Sequence, residues 1–264
     1  MIEIPFDRVG HLIRIAGELP GGRTARFLVD TGIGISLVHP TLVDRAGLQL
    51  TGEEFTGRRM SGQEVGAPLA ALPVLRVGDH TVTESVVAVA ALGAVDGADG
   101  FDGILGLDLL GELPLTVDPF AQVIRLGAPA ADERTVVPVS VLRDGASVEL
   151  RVELRLPDGQ IAEVEIDTGS GTTILDSRYL SACSVDLTAG GVRIVEGTDE
   201  TGHQFVRRFA RIPGALWLDA APDRTRHEQP TVMFQDLHLD GLIGTDFLDR
   251  FVQTYNTGDA TLRL

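Results

Sequence analysis

Two aspartates in this 264-residue chain open the same triplet, Asp30-Thr31-Gly32 and Asp167-Thr168-Gly169. Each triplet closes an apolar-leaning run, Phe27-Leu28-Val29 in one case and Val164-Glu165-Ile166 in the other. A strand that delivers a carboxylate into a tight turn has a clear chemical use. The glycine lets the backbone bend and another segment come close, and the amides after the aspartate can fix its carboxylate. Two such carboxylates held about 3 Å apart cannot both ionise, so they share a proton and titrate as a pair. One can then act as general base toward water while the other, protonated, donates to a carbonyl. Asp30 and Asp167 are the candidate catalytic pair, with Thr31, Gly32, Thr168, Gly169 and Ser170 as supports of their loops.

A lone Asp-Thr-Gly is usually just a turn; here the register carries the reading. The triplets are 167 − 30 = 137 residues apart, and Leu19-Pro20-Gly21-Gly22 meets Leu156-Pro157-Asp158-Gly159 at 156 − 19 = 137. Ile13-Arg14-Ile15 meets Leu150-Arg151-Val152 at the same offset. A second shared phrase, Asp102-Gly103-Ile104-Leu105-Gly106-Leu107-Asp108, meets Asp240-Gly241-Leu242-Ile243-Gly244-Thr245-Asp246 at 240 − 102 = 138. Ile124-Arg125-Leu126 and Leu262-Arg263-Leu264 close the two halves. The pattern reads as a duplication in which each copy brings one carboxylate to the same structural address.

The elements that must hold these residues are mostly strands. Short apolar or alternating runs at 11–15, 26–29, 72–77, 85–91 and 148–156 are bounded by Gly, Pro and Asp. Helical patterns are few: 40–46 stopped by Gly47, 177–182 with Asp176 as N-cap, and short turns at 107–111 and 246–251. The expected class is all-β, two similar lobes about a pseudo-two-fold axis with short helices. Residues 1–126 and 136–264 form the lobes, and 127–135, with Pro129 and small and charged neighbours, is an exposed linker. Gly57 to Gly62 and Gly197 to Gly202 repeat a spacing of five, which suggests a hairpin tip in each half. Met60, Ser61, Gly62 and Glu200, Thr201, Gly202 are therefore flap candidates.

Composition excludes several classes. A net charge of −16 disfavours nucleic-acid and anionic-membrane partners, both of which need a basic surface. No apolar run approaches the roughly 18 residues of a membrane span, and the N-terminus has no signal-peptide pattern. Cys183 is the only cysteine, so no intrachain disulfide forms and a cytoplasmic location is expected. The six histidines show no metal-ligand spacing and read as surface or packing residues. Asp96, Asp99 and Asp102 lack the spacing of a calcium loop. No metal and no cofactor is expected.

On the paired motifs Val29-Asp30-Thr31-Gly32 and Ile166-Asp167-Thr168-Gly169-Ser170, with Ile104-Leu105-Gly106 and Leu242-Ile243-Gly244, the chain resembles the aspartic proteases, the clan of pepsin-like and retropepsin-like enzymes. The resemblance spans nearly the whole chain and implies the acid-protease β-barrel fold. It implies that Thr31 and Thr168 bond across the lobe interface and that the hydrophobic-glycine elements brace the catalytic loops. With one cysteine and no tyrosine in either flap candidate, the chain looks like a retropepsin-like dimer fused into one chain, and hence a monomer. Ile33 departs from the pattern: it follows the first triplet where the family has a small or hydroxylated residue, and its side chain cannot hydrogen-bond to Asp30.

The implied function is an aspartic endopeptidase that takes a peptide or protein substrate, extended, in the inter-lobe cleft. The alternatives are a catalytically weak or inactive protease-like peptide-binding protein, which Ile33 favours, and a processing enzyme confined to one target.

Overall fold

Along Leu12–Leu19 and Ser147–Arg155 nearly every second residue is buried, as strands with one face on a core require. The computed structural model describes residues 1–91, 100–127, 133–188, 190–198 and 204–264. Strands dominate, and they build three sheets. An eight-stranded sheet takes all its strands from Asp7–Val9 through Gly103–Leu105, and a ten-stranded sheet takes all of its own from Ser140–Asp144 through Gly241–Ile243. The third sheet, of six strands, draws on both halves: Ile2–Pro5, Leu115–Asp118 and Val123–Leu126 from the first, Gln253–Asn256, Thr261–Arg263 and Val136–Pro138 from the second.

The two lobes meet at the middle of this shared sheet. Leu115–Asp118 pairs antiparallel with Gln253–Asn256, and Thr116 stands opposite Thr254, its counterpart at 254 − 116 = 138. Their hydroxyls share a hydrogen bond of 2.7 Å, both side chains being buried. An approximate two-fold axis therefore passes between two like residues that satisfy each other. Tyr255, fully buried beside them, donates its hydroxyl to Gln253 Oε1 at 2.7 Å, so this wet-tipped ring leaves no orphaned polar atom.

Within each lobe the same cross-connection recurs. Arg23–Val29 runs parallel to Gly103–Leu105, which pairs antiparallel with Leu37–Val38. In the second lobe Ile161–Ile166 runs parallel to Gly241–Ile243, which pairs antiparallel with Ile174–Asp176. The strand that leads into each Asp-Thr-Gly loop and the strand that leaves it thus flank one hydrophobic-glycine strand.

The helix Pro40–Ala46 forms as expected, with Pro at its first position, the His39 ring accepting from the Thr41 N–H, and Gly47 closing it at φ 68°. The expected helix at 177–182 is instead a 3₁₀ turn, Ser177–Tyr179, followed by a single turn closed by Cys183 N–H on the Tyr179 carbonyl. Asp176 does cap it, accepting from the Arg178 N–H at 2.9 Å. Of the stretch read as an exposed linker, Gly127 and Glu133 to Thr135 are described, and its end is tied down. Thr135 exchanges backbone hydrogen bonds with Leu264, and Arg134 donates to the Val252 carbonyl and to Thr254 Oγ1. Asp96 and Asp99 lie outside the described residues.

Candidate active site

The hydrophobic-glycine strands set the height of both aspartates. Asp30 N–H donates to the Leu105 carbonyl at 3.0 Å, and Asp167 N–H donates to the Ile243 carbonyl at 3.1 Å. Below them two aspartates act as clamps. Asp108 accepts from the Ser36 hydroxyl and N–H, and Asp246 accepts from the Thr173 hydroxyl and N–H, all at 2.6 to 2.9 Å. Ser36 Oγ accepts in turn from the Gly106 N–H. A third matched pair anchors the strand edges: Asp102 accepts from Arg26 N–H and Arg45, Asp240 from Glu163 N–H and Arg178.

The threonines lock the loops to each other. Thr31 N–H donates to Thr168 Oγ1 and Thr168 N–H donates to Thr31 Oγ1, both at 3.1 Å. Each hydroxyl then donates to the opposite strand, Thr31 to the Ile166 carbonyl at 2.7 Å and Thr168 to the Val29 carbonyl at 3.2 Å. Three buried polar groups on each side, an amide, a hydroxyl and a carbonyl, are satisfied by these four bonds, so the loops cannot shift independently.

This lock brings the two carboxyls together. Asp30 and Asp167 are within hydrogen-bonding reach of one another. Each lies over the other loop's glycine: a Cβ on Gly32 would sit 2.8 Å from Asp167 Cγ, and one on Gly169 would sit 2.5 Å from Asp30 Cγ. No side chain fits at either position, which is the physical reason for glycine in both triplets. Gly32 N–H donates to Asp30 Oδ1 at 2.8 Å; Gly169 and Ser170 N–H donate to Asp167 Oδ1 at 2.7 and 3.0 Å. Burial is the largest influence on both carboxyls and holds both above the usual carboxylate range, and the charge of Asp30 raises Asp167 further. The pair therefore keeps a proton at a pH where free carboxylates have lost theirs.

Three neighbours complete the site. Glu165, two residues before Asp167, is buried at 7% exposure, and burial, with the charges of Glu149 and Asp30, pushes its carboxyl up to about 8. Its position in the first lobe holds Leu28, also buried. Asp108 is pushed up to about 6 by burial. His11 crosses from the first lobe to the second loop: its Nε2 donates to the Gly169 carbonyl at 3.0 Å, and its ring lies against Gly171, where a Cβ would come within 2.9 Å. The sequence reading did not name Ser36 or Thr173, and it quoted Glu165, Asp108 and Asp246, and counted His11 among the surface or packing histidines, without giving any of them a role in the site. The constant offset was the usable signal for Ser36 and Thr173, at 173 − 36 = 137.

Of the flap candidates, Met60, Ser61 and Gly62 sit at the tip of a hairpin between Gln49–Arg58 and Glu64–Val77. The tip reaches the second lobe. His238 donates both its backbone N–H and Nδ1 to the Met60 carbonyl, at 3.1 and 2.8 Å. The Met60 side chain packs with Phe209 and Leu237 against Ile174, Met233 and Leu242. Glu200, Thr201 and Gly202 lie outside the described residues, between the paired strands Arg193–Thr198 and Gln204–Arg211. Among the described residues no group of three His, Cys, Asp or Glu side chains is placed to hold a metal ion.

Comparison with known proteins agrees with this geometry. A sequence model of the family described as aspartyl protease matches residues 15–109. No curated protein sequence matches the chain. Among solved structures, the aspartic proteinase from Irpex lacteus aligns with a TM-score of 0.58 at 17% identity, covering 99% of this chain and 96% of that one. At that identity the likeness speaks for the fold. The chain thus has the fold of an aspartic proteinase from end to end, and residues 15–109 carry the sequence pattern of the aspartyl-protease family.

Proposed function

We propose that the chain is an aspartic endopeptidase whose catalytic groups are Asp30 and Asp167, one from each lobe. The observation that carries this reading is the reciprocal threonine lock, which holds two buried carboxyls of raised pKa within hydrogen-bonding reach. In the singly protonated pair, the ionised carboxylate takes a proton from water as its oxygen attacks the scissile carbonyl carbon. The protonated partner donates to the carbonyl oxygen, giving a tetrahedral diol. The C–N bond then breaks as the amine nitrogen takes a proton from the first carboxyl, while the second carboxylate takes one back from a diol hydroxyl that becomes the new carbonyl, so the pair again holds one proton. Water exclusion and main-chain contacts to the extended peptide come from the Met60-Ser61-Gly62 hairpin tip, which releases from His238 to admit substrate.

Residues 1–126 and 136–264 are the two lobes of a cytoplasmic monomer, because the second lobe supplies what a partner subunit would. Nucleic acid and membrane are not partners on this reading. One observation favours the second reading, a protease-like peptide-binding protein of weak or no activity. Asp30 accepts one amide of its own loop where Asp167 accepts two, the difference lying at Ile33 against Ser170. A statine-type peptide, whose hydroxyl mimics the tetrahedral diol, separates the two. The endopeptidase cleaves members of a diverse peptide library and is blocked by the analogue. A chain that binds peptides without turnover, at every pH, is the binding protein.

A further inference from the structure

The two hairpins differ sharply in charge. The first carries Glu53, Glu54 and Glu64 against Arg58 and Arg76 along its strands, whereas the second, Arg193–Thr198 with Gln204–Arg211, carries four arginines against Glu196. Its register sets Arg193 opposite Phe209, Val195 opposite Arg207 and Gly197 opposite Phe205. By the two-residue period of a strand, Phe205, Arg207, Phe209 and Arg211 share one face with Arg193, and the hairpin's described acid, Glu196, lies on the other. The arginines are stacked: the Arg193 guanidinium lies 4.0 Å from the Phe209 ring centre, and that of Arg207 lies 4.1 Å from Phe205. Phe205 rests on Gly197, where a Cβ would come within 2.7 Å of the ring. Stacking fixes the planes and leaves their N–H edges pointing outward.

These charges are uncompensated. Among the described residues Arg193, Arg207, Arg208 and Arg211 pair with no carboxylate, although the chain carries 38 acidic residues and ion-pairs arginines such as Arg8, Arg125 and Arg155 elsewhere. Arg207 and Arg211 bond instead to the neutral Gln235 and Gln229, and Arg208, on the opposite face, to Ser177. The face also borders the space between the lobes, since Phe209 packs beside Met60 of the other hairpin on Ile174, Met233 and Leu242. Resting on the endopeptidase reading above, we propose that this arginine–phenylalanine face receives acidic side chains of the substrate, so that the chain selects peptides carrying Asp or Glu on one side of the scissile bond. A chain of net charge −16 otherwise repels such peptides, so the preference has to be local.

The test passes a randomised peptide library over immobilised Asp167→Asn chain, reads the retained peptides by mass spectrometry, and in parallel reads those cleaved by the wild type. Retained peptides should be enriched in Asp and Glu by about fivefold per acidic position at low salt, with the enrichment collapsing at high salt. It should vanish in Arg193→Gln/Arg207→Gln, persist in part in Arg193→Lys/Arg207→Lys, and stand unchanged in Arg143→Gln, which lies on another strand. Retention with no acidic enrichment, or enrichment that survives the double Gln change, overturns the proposal. So does an oligothymidylate that displaces the peptides, since the face would then be a nucleic-acid surface. Cleavage without acidic preference sinks this inference and leaves the endopeptidase standing; acidic retention without cleavage does the reverse.

Discussion

Asp167 accepts two amides of its own loop and has the buried acid Glu165 behind it, whereas Asp30 accepts one amide of its own loop and has Leu28 in the matching place. The main clamps of the two loops correspond: threonine to threonine, Ser36–Asp108 to Thr173–Asp246, Asp102 to Asp240. The scaffold of the site is thus symmetric and its electrostatics are not. Position is fixed by hydrogen bonds that each lobe repeats, while protonation is tuned by residues that only one lobe carries. The difference separates what the architecture requires from what the chemistry leaves free to vary.

The comparison breaks most visibly if Glu165 is made to match Leu28. The Glu165 carboxyl is raised from an ordinary 4.5 to about 8 in the folded chain, so between these values the folded state binds a proton that the unfolded state has released. Stability must therefore fall as pH rises from 4.5 to about 8 and level off above it. Glu165→Leu should remove that fall, with a gain over wild type that is small in acid and grows to about 4 kcal/mol at alkaline pH. Urea unfolding across this range measures it. A gain independent of pH would mean that Glu165 is not the titrating group. The charged groups around it are Glu149 and Arg151 on the neighbouring strand, Asp30 across the interface and Asp167, whose carboxyl the Glu165 charge raises, so the alkaline limb of any activity should also move to lower pH in this variant.

The symmetric part sharpens with the threonines. Thr31→Ala and Thr168→Ala each strip a partner from one buried N–H and one buried carbonyl, and each should cost about 3 kcal/mol of stability. Near-equal losses in denaturant unfolding are the expected outcome. A large loss at one position and none at the other would contradict a reciprocal lock.

The smallest effect belongs to Ile33→Ser, which copies Ser170 into the first loop. It removes the Ile33 methyl that lies against Gly106 and relaxes the turn toward a second amide on Asp30. A bonded amide favours the ionised form, so the acidic limb of the pH–rate profile should move down by a few tenths of a unit, with a rate change under about fivefold. An unmoved limb would show that the missing amide does not matter.

Much of this was legible in the sequence because the chain says it twice. The triplets, the hydrophobic-glycine strands and the closing strands share one register, and a register held over a hundred residues cannot be a local accident. The helix at Pro40–Ala46 was legible from Pro40 and Gly47, which act locally. Glu165 was not, because in Glu163-Val164-Glu165-Ile166 it alternates with core residues and reads as solvent-facing. Its neighbours on that face, Ile161 and Glu163, are indeed exposed, and nothing in the alternation marks Glu165 as the buried one. His11 escaped because its contact with Gly169 joins residues 169 − 11 = 158 apart. The arginine face needed strand register to show that its members lie on one side.

The central claim is that Asp30 and Asp167 work as one acid holding one proton. The most direct test is peptide-library cleavage by wild type, Asp30→Asn and Asp167→Asn across acidic to neutral pH, read by mass spectrometry. Asparagine keeps the size and much of the hydrogen bonding but removes the proton that the pair must exchange. The account expects a bell-shaped pH profile for the wild type and a loss on the order of 10³-fold or more in either variant, with both still folded. Cleavage that persists in either variant would contradict it.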